Sequence, residues 1–229
     1  MRFNGAMAKL FGENGNFSAN VEMEMKGGAL ADTVKMPGKM AVAEGKSRFE
    51  MDTTQIKGGN VPESALAQMK AMGMDKTIMI SRPDQKVSFL VYPNLQAYAQ
   101  MPMSAKEAGE KDTNFKMESS ELGKETIDGH PCVKTKVVLT DEKGEKQEAT
   151  LWNATDLKKF PVKLERTENK VMMTLSFKDV KLSKPDAAEF DPPAGMTKYE
   201  NPQALMQGAM MKRLGNGAGT GTDTGNGKK

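Results

Sequence analysis

The residues best suited to chemistry in this chain are few. Its one histidine, His130, and its one cysteine, Cys132, sit in a His-Pro-Cys triplet just after a glycine turn. A thiolate beside an imidazole is a nucleophile with its base. That chemistry also needs an orienting group and an oxyanion site, and no motif supplies either. The simpler reading is a turn residue followed by a small buried thiol at a strand start. A single histidine excludes a His-rich metal site or a histidine relay. Phosphate loops, dinucleotide fingerprints, zinc spacings and EF-hand loops are absent from the sequence. Carboxylates are scattered along polar strand faces rather than paired for acid–base work. The expectation is a protein that is not an enzyme and that carries no cofactor.

Methionine is the unusual residue. There are 20 in 229 residues, many of them clustered: Met23 with Met25, Met36 with Met40, Met69 with Met72 and Met74, Met101 with Met103, and Met206 with Met210 and Met211. Thioethers are soft ligands that suit Cu(I). The methionine side chain is also flexible and polarizable, and it suits apolar surfaces that accept varied partners. A copper protein is expected to concentrate its methionines in one flexible loop, often with histidines. Here Met23, Met25, Met51, Met69, Met72 and Met173 fall in register with apolar strand or helix positions, which favours core or cavity lining.

The elements that position these side chains follow from periodicity. From Phe17 to Lys26 the odd positions are Phe, Ala, Val, Met, Met and the even ones Ser, Asn, Glu, Glu, Lys. Successive strand residues point to opposite faces, so this is a half-buried strand. Alternation recurs at Phe49–Thr53, Ile78–Ile80, Val87–Val91, Val133–Leu139, Val162–Leu164 and Val171–Phe177. Turn signals at 43–46, 82–85, 127–130 and 141–144 separate the runs without intervening helices, as in a meander of hairpins. One apolar face per strand predicts a single curved sheet with something covering its inside.

Two stretches read as helices. One opens near Asn60 and Pro62, has Glu63 at the capping-box position, stops at Gly73, and aligns Leu66, Met69 and Met72 on one face. The other runs from about Asn201 to Leu214. The opening residues Phe3, Met7, Leu10 and Phe11 suggest a third, short helix within 1–16. Residues 106–114 read as a polar loop dividing the strands in two. One domain is expected over 1–214, and the Gly-rich tail 215–229 is expected to be disordered.

The formal charge is only +3, from 33 basic and 30 acidic residues. Nearly all the basic residues are lysines, and aromatics are scarce, which argues against nucleic acid as a partner. One cysteine cannot form an intramolecular disulfide. No apolar run is long enough to span a bilayer. Met1–Phe11 lacks the apolar stretch of a signal peptide, so the expectation is either a cytosolic protein or a mature form whose export signal was removed.

The second half carries a family resemblance. It reads Glu121-Leu-Gly-Lys-Glu-Thr-Ile-Asp-Gly-His-Pro-Cys-Val, then Ala149-Thr-Leu-Trp-Asn-Ala-Thr-Asp-Leu-Lys-Lys-Phe-Pro-Val, then Leu175-Ser-Phe-Lys-Asp-Val-Lys-Leu, then Glu189-Phe-Asp-Pro-Pro-Ala-Gly-Met. This order resembles the LolA-like superfamily of periplasmic lipoprotein carriers, and within it the DUF4412 group of bacterial envelope proteins. The likeness covers roughly Phe17–Met196. It implies an open, strongly curved antiparallel sheet, a half-barrel of mainly β (α+β) class whose concave face is covered by two or three helices. It also implies a hollow that receives lipoprotein acyl chains, and an exported, periplasmic location. Tyr92, Pro93, the polar loop before Phe115 and the Met-rich helix depart from LolA itself, so no lipoprotein-binding residues are carried over.

Together these readings predict an exported binding module for a hydrophobic ligand, lipid or lipoprotein acyl chains, with an envelope protein as a possible partner. The expected cavity lining is Val21, Met23, Met25, Met51, Ile78, Phe89, Val91, Leu151 and Leu175, with Leu66, Met69 and Met72 on a helical lid. The alternatives are a structural or interaction protein with a filled core, and a methionine-based copper protein.

Overall fold

The alternating segments form one sheet. The computed structural model describes residues 5–28, 30, 32–59, 62–104, 107–108 and 115–217. A short helix, α1 (Gly5–Leu10), precedes β1 (Phe17–Gly27), β2 (Val34–Ala43) and β3 (Lys46–Asp52). Helix α2 (Glu63–Ala71) interrupts the meander before β4 (Lys76–Arg82), β5 (Val87–Tyr92) and β6 (Ala97–Pro102). The second meander is β7 (Lys116–Ile127), β8 (His130–Thr140), β9 (Lys146–Ala154), β10 (Phe160–Glu168) and β11 (Val171–Lys181). It is followed by β12 (Thr197–Tyr199) and α3 (Pro202–Gly217). The 12-stranded order is β12-β6-β5-β4-β3-β2-β1-β11-β10-β9-β8-β7. The two meanders therefore join where β1 pairs antiparallel with β11, and β12 adds parallel to β6.

Covalent geometry requires this sheet to curve. β6 and β7 are consecutive in the chain yet lie ten strand spacings apart, roughly 48 Å along the sheet at about 4.8 Å per strand. The chain from Pro102 to Lys116 could reach about that far only if fully extended. It is not extended, because Ala108 N–H bonds back to the Ser104 carbonyl. The connection must cut across a chord shorter than the arc. Its ends mark the inner side. Buried Met103 receives a hydrogen bond from Ser81 Oγ, and Lys9 of the α1 helix donates to the Phe115 carbonyl at 2.9 Å.

Register then sorts every strand residue by face. The pairs Phe17–Val42, Met40–Phe49 and Phe49–Met79 point inward, as do Val21–Phe177, Met23–Leu175, Leu164–Leu175 and Thr135–Leu151. Met7, Leu10 and Phe11 from α1 and its exit cover this face, and Leu205 of α3 covers Ala97 and Ala99 at the β6 end. Gly38 of β2 is needed here, since a Cβ would stand 2.5 Å from the Glu50 carbonyl oxygen and 2.9 Å from the Phe49 ring.

A second apolar cluster lies on the outer face. Ala41, Ala43, Ile78, Ile80, Phe89 and Val91 pack under fully buried Phe190. Phe190 belongs to the strap of residues 182–196 that carries the chain from the middle of the sheet to its β12 edge. Two arginines hold the strap. Arg48 donates to the Glu189 carbonyl at 2.9 Å. Buried Arg82 bonds Asp84 through Nε and Nη2 and reaches Asp191 of the strap through Nη1.

The helices follow the sequence with local changes. Pro62 is the N-cap of α2 and makes no side-chain cap bond, while Asn60 lies outside the described residues. Gly73 ends α2 at φ 71. Asn201 Oδ1 caps α3 by accepting from Ala204 N–H. Part of the expected polar loop 106–114, and of the Gly-rich tail from residue 218 onward, lies outside the described residues. Strands β2, β6, β7, β9 and β12 lie outside the alternating runs read from the sequence. β2 has Pro37-Gly38 at its centre, which mimics a turn, and β7 is an exposed edge with little to bury.

Removing the strap's anchor tests this packing. Phe190→Ala is expected to cost about 3–5 kcal/mol, read as a lower urea midpoint. The hydrogen bond from Arg82, with its charge, holds the Asp84 carboxyl below the usual carboxylate range. A lowered folded-state pKa contributes stability above the unfolded value and loses it as pH falls. Acid should therefore weaken the wild-type protein below about pH 4 more than it weakens Asp84→Asn, as measured by urea titrations at pH 7 and pH 3.

Candidate functional site

The inner face is chemically divided. At one end Phe11, Phe17, Phe160 and Phe177 interlock, with Phe11 stacked on Phe17 at 5.1 Å and Phe160 edge-on to Phe17 at 4.9 Å. Along β8, β9 and β10 the inward residues include branched aliphatics and alanine, with Val137, Leu139, Ala149, Leu151 and Leu164 all buried. Along β11, β1, β2, β3 and β4 they are largely methionine. Met173 faces Met25, Met23 faces Met36, Met51 faces Gly38 and Met79 faces Phe49. Met25, Met36, Met51, Met79 and Met173 are only half-buried. The same face is thus built of stiff, mostly buried aliphatic side chains on one half and of partly accessible, flexible ones on the other.

The fold brings six of the nine expected strand residues to one face and sends three to the other. Val21, Met23, Met25, Met51, Leu151 and Leu175 share the inner face. Val21, Leu151 and Leu175 are buried as core, with Leu175 at 0 % exposure. Ile78, Phe89 and Val91 lie on the outer face, since Ile78 sits opposite Glu50 and Val91, and Phe89 opposite Ile80. They pack under Phe190. One hollow lined by all of them does not form. Alternation along β4 and β5 reveals an apolar face, and the strap covers it, while the inward side carries Thr77, Met79, Ser81, Ser88 and Leu90. Leu66, Met69 and Met72 of the α2 segment are half-buried, and no residue of α2 is buried. α2 is tethered at its base by Thr53, which bonds the Asp75 carbonyl through N–H at 2.7 Å and Oγ1 at 3.1 Å.

Sequence reading missed the outer face as a surface with relief. A hollow of about 530 Å³ lies over β1 to β4, rimmed by Asn20, Glu22, Lys39, Glu50, Asp52 and Lys76. Its charges are mixed in sign, and Lys178 also borders it. The only early signal was the run of charged residues alternating with the apolar ones. On the same face Trp152 is buried beneath Lys163 and Lys134, whose ammonium groups lie 4.3 and 4.9 Å from its ring. The indole N–H donates to Glu125 at 2.9 Å, and together with Lys134 it lowers the Glu125 pKa.

The His130–Cys132 pair is not a dyad. The Cys132 thiol donates to the His130 backbone carbonyl at 3.3 Å, and the imidazole Nδ1 bonds Asp156 at 2.8 Å. Burial pushes the Cys132 pKa up. Among the described residues no group of three or more His, Cys, Asp or Glu side chains could hold a metal ion. No helix among them is long and apolar enough to cross a membrane.

The model of a domain of unknown function, DUF4412, matches residues 17–160. The chain belongs to the DUF4412 family. The matched span runs from the first residue of β1 to the first of β10, so this DUF4412 protein carries the methionine half of its inner face largely within the family domain. No curated protein sequence matches the chain. Among solved structures it is similar to a LolA superfamily protein from Nitrosomonas europaea, at 11% identity and TM-score 0.36, over 80% of this chain and 93% of that one. It is also similar to the lipoprotein LppX of Mycobacterium tuberculosis, at 11% identity and TM-score 0.44, over 76% and 93%. LprF of Mycobacterium bovis gives 12% identity and TM-score 0.39, over 76% and 90%. These likenesses are of outline alone.

A raised thiol pKa gives a direct test of the Cys132 environment. Iodoacetamide labelling of the native DUF4412 protein at pH 7 should run at least tenfold slower than labelling of the urea-unfolded chain, followed by mass spectrometry. Equal rates would mean an activated thiol.

Proposed function

We propose that the protein is a non-catalytic binding module of an exported compartment that receives a flexible apolar chain, such as a lipid or lipoprotein acyl chain. The chain would lie against the methionine half of the inner face. One observation carries this reading: on the contiguous strands β11, β1, β2, β3 and β4 the inward Met173, Met25, Met36, Met51 and Met79 are half-buried, while Val137, Leu139, Ala149, Leu151 and Leu164 of β8–β10 are buried. Unbranched thioether side chains can repack around chains of different shape at little cost. Each Å² of apolar surface they remove from water contributes about 25 cal/mol. α2, tethered at Thr53 and Asp75 and presenting Leu66, Met69 and Met72, serves as a movable cover. The acyl chain is the cargo that the LolA-like resemblance implies. A filled, purely structural core is the second reading, and it is favoured by the complete burial of Val21, Leu164 and Leu175.

Binding of the fluorescent fatty acid cis-parinaric acid separates the two. The wild-type protein should raise its emission saturably. Met51→Asp should abolish the signal, and the volume-conserving Met51→Leu should keep it within about threefold. No emission change with wild-type protein would leave the filled core.

A further inference from the structure

The inward positions of β1–β6 and β8–β11 are almost free of charge. Among the described residues the exceptions are Arg166 and Glu168, at the end of β10. Arg166 points inward directly opposite Met173 of β11 and Ala149 of β9, and Met173 in turn faces Met25 of β1. Arg166 therefore sits at the border between the methionine strands and the aliphatic half.

Its hydrogen bonding is incomplete. Nη2 pairs with Glu168 at 3.1 Å, with a Glu168 side chain that is 67% exposed. Nε is buried and has no hydrogen-bond partner. A buried N–H left unbonded is costly, so native structures seldom keep one without a use. An exposed ion pair at a strand end would stabilise the fold little, and it explains neither the orphan N–H nor the choice of arginine. The chain has few arginines, and Arg48 and Arg82 spend theirs on the strap. A planar guanidinium with free donors matches a carboxylate or phosphate.

Resting on the acyl-chain reading above, we propose that the ligand is an anionic amphiphile. Its carboxylate or phosphate is held by Arg166, and its tail lies along Met173 and Met25. Glu168 occupies part of the guanidinium when the site is empty and yields to the ligand's head.

The test compares cis-parinaric acid with its methyl ester at pH 8, in emission titrations of the full chain. Wild-type protein should bind the acid on the order of tenfold or more tighter than the ester, the scale of a charge-assisted hydrogen bond. Arg166→Leu should erase that preference while leaving ester binding unchanged, and Arg166→Lys should restore part of it. Glu168→Gln removes the competing carboxylate and should tighten acid binding, a gain that misfolding cannot produce. Displacement of the probe by palmitate at lower concentration than by hexadecyl phosphate assigns a carboxylate head; the reverse order assigns a phosphate. Equal binding of acid and ester by wild-type protein and Arg166→Leu overturns the anionic head while leaving the acyl-chain reading intact. Failure of both probes with wild-type protein overturns both.

Discussion

The pairing of β1 with β11 is the interaction on which the rest depends. Each meander alone would be an open sheet with an uncovered apolar face and an unpaired edge, which exposes hydrogen-bonding groups to any other strand. Joining them in the register Val21–Phe177, Met23–Leu175 and Met25–Met173 makes β1 a central strand. It also sets the inner faces of both halves side by side. Only then does α1 have a surface wide enough to bury Met7, Leu10 and Phe11. Curvature, core and cover follow from one antiparallel ladder.

That ladder is also the seam between two kinds of packing. On the β8–β10 side, branched residues with few rotamers bury Val137, Leu139, Leu151, Val162 and Leu164. On the β1–β4 side, methionines do the same apolar work with loose, deformable chains and stay half in water. A protein that needed only a core could have used leucine throughout. The flexible residues lie on contiguous strands bordered by the inward Arg166, and it is there that the proposed ligand, an apolar chain with a polar end, would lie.

The outer face serves a different need. The strap has to travel from β11 to the β12 edge, and it does so over Ile78, Ile80, Phe89 and Val91, held by Arg48 and Arg82. The apolar side of β4 and β5 is thus the outer one, and their inward side mixes Thr77, Ser81 and Ser88 with Met79 and Leu90.

The sequence alone determined the period of the strands, most of their positions, the turns between them, three helices, the scarcity of catalytic groups and the excess of methionine. It could do so because alternation, capping and turn chemistry are local. It did not reveal β2, whose Pro37-Gly38 imitates a turn, or β7, which buries too little to alternate. Nor could it say which face of a strand looks inward. A period of two separates two faces without naming them, and the phase is set by partners distant in the chain: Glu50 opposite Ile78, Phe190 over Phe89, Arg166 opposite Met173. Tertiary structure alone sent Ile78, Phe89 and Val91 to the outside, kept Met23, Met25 and Met51 together, and brought an arginine to their edge, because those neighbours are fixed by strand register and by the path of the strap.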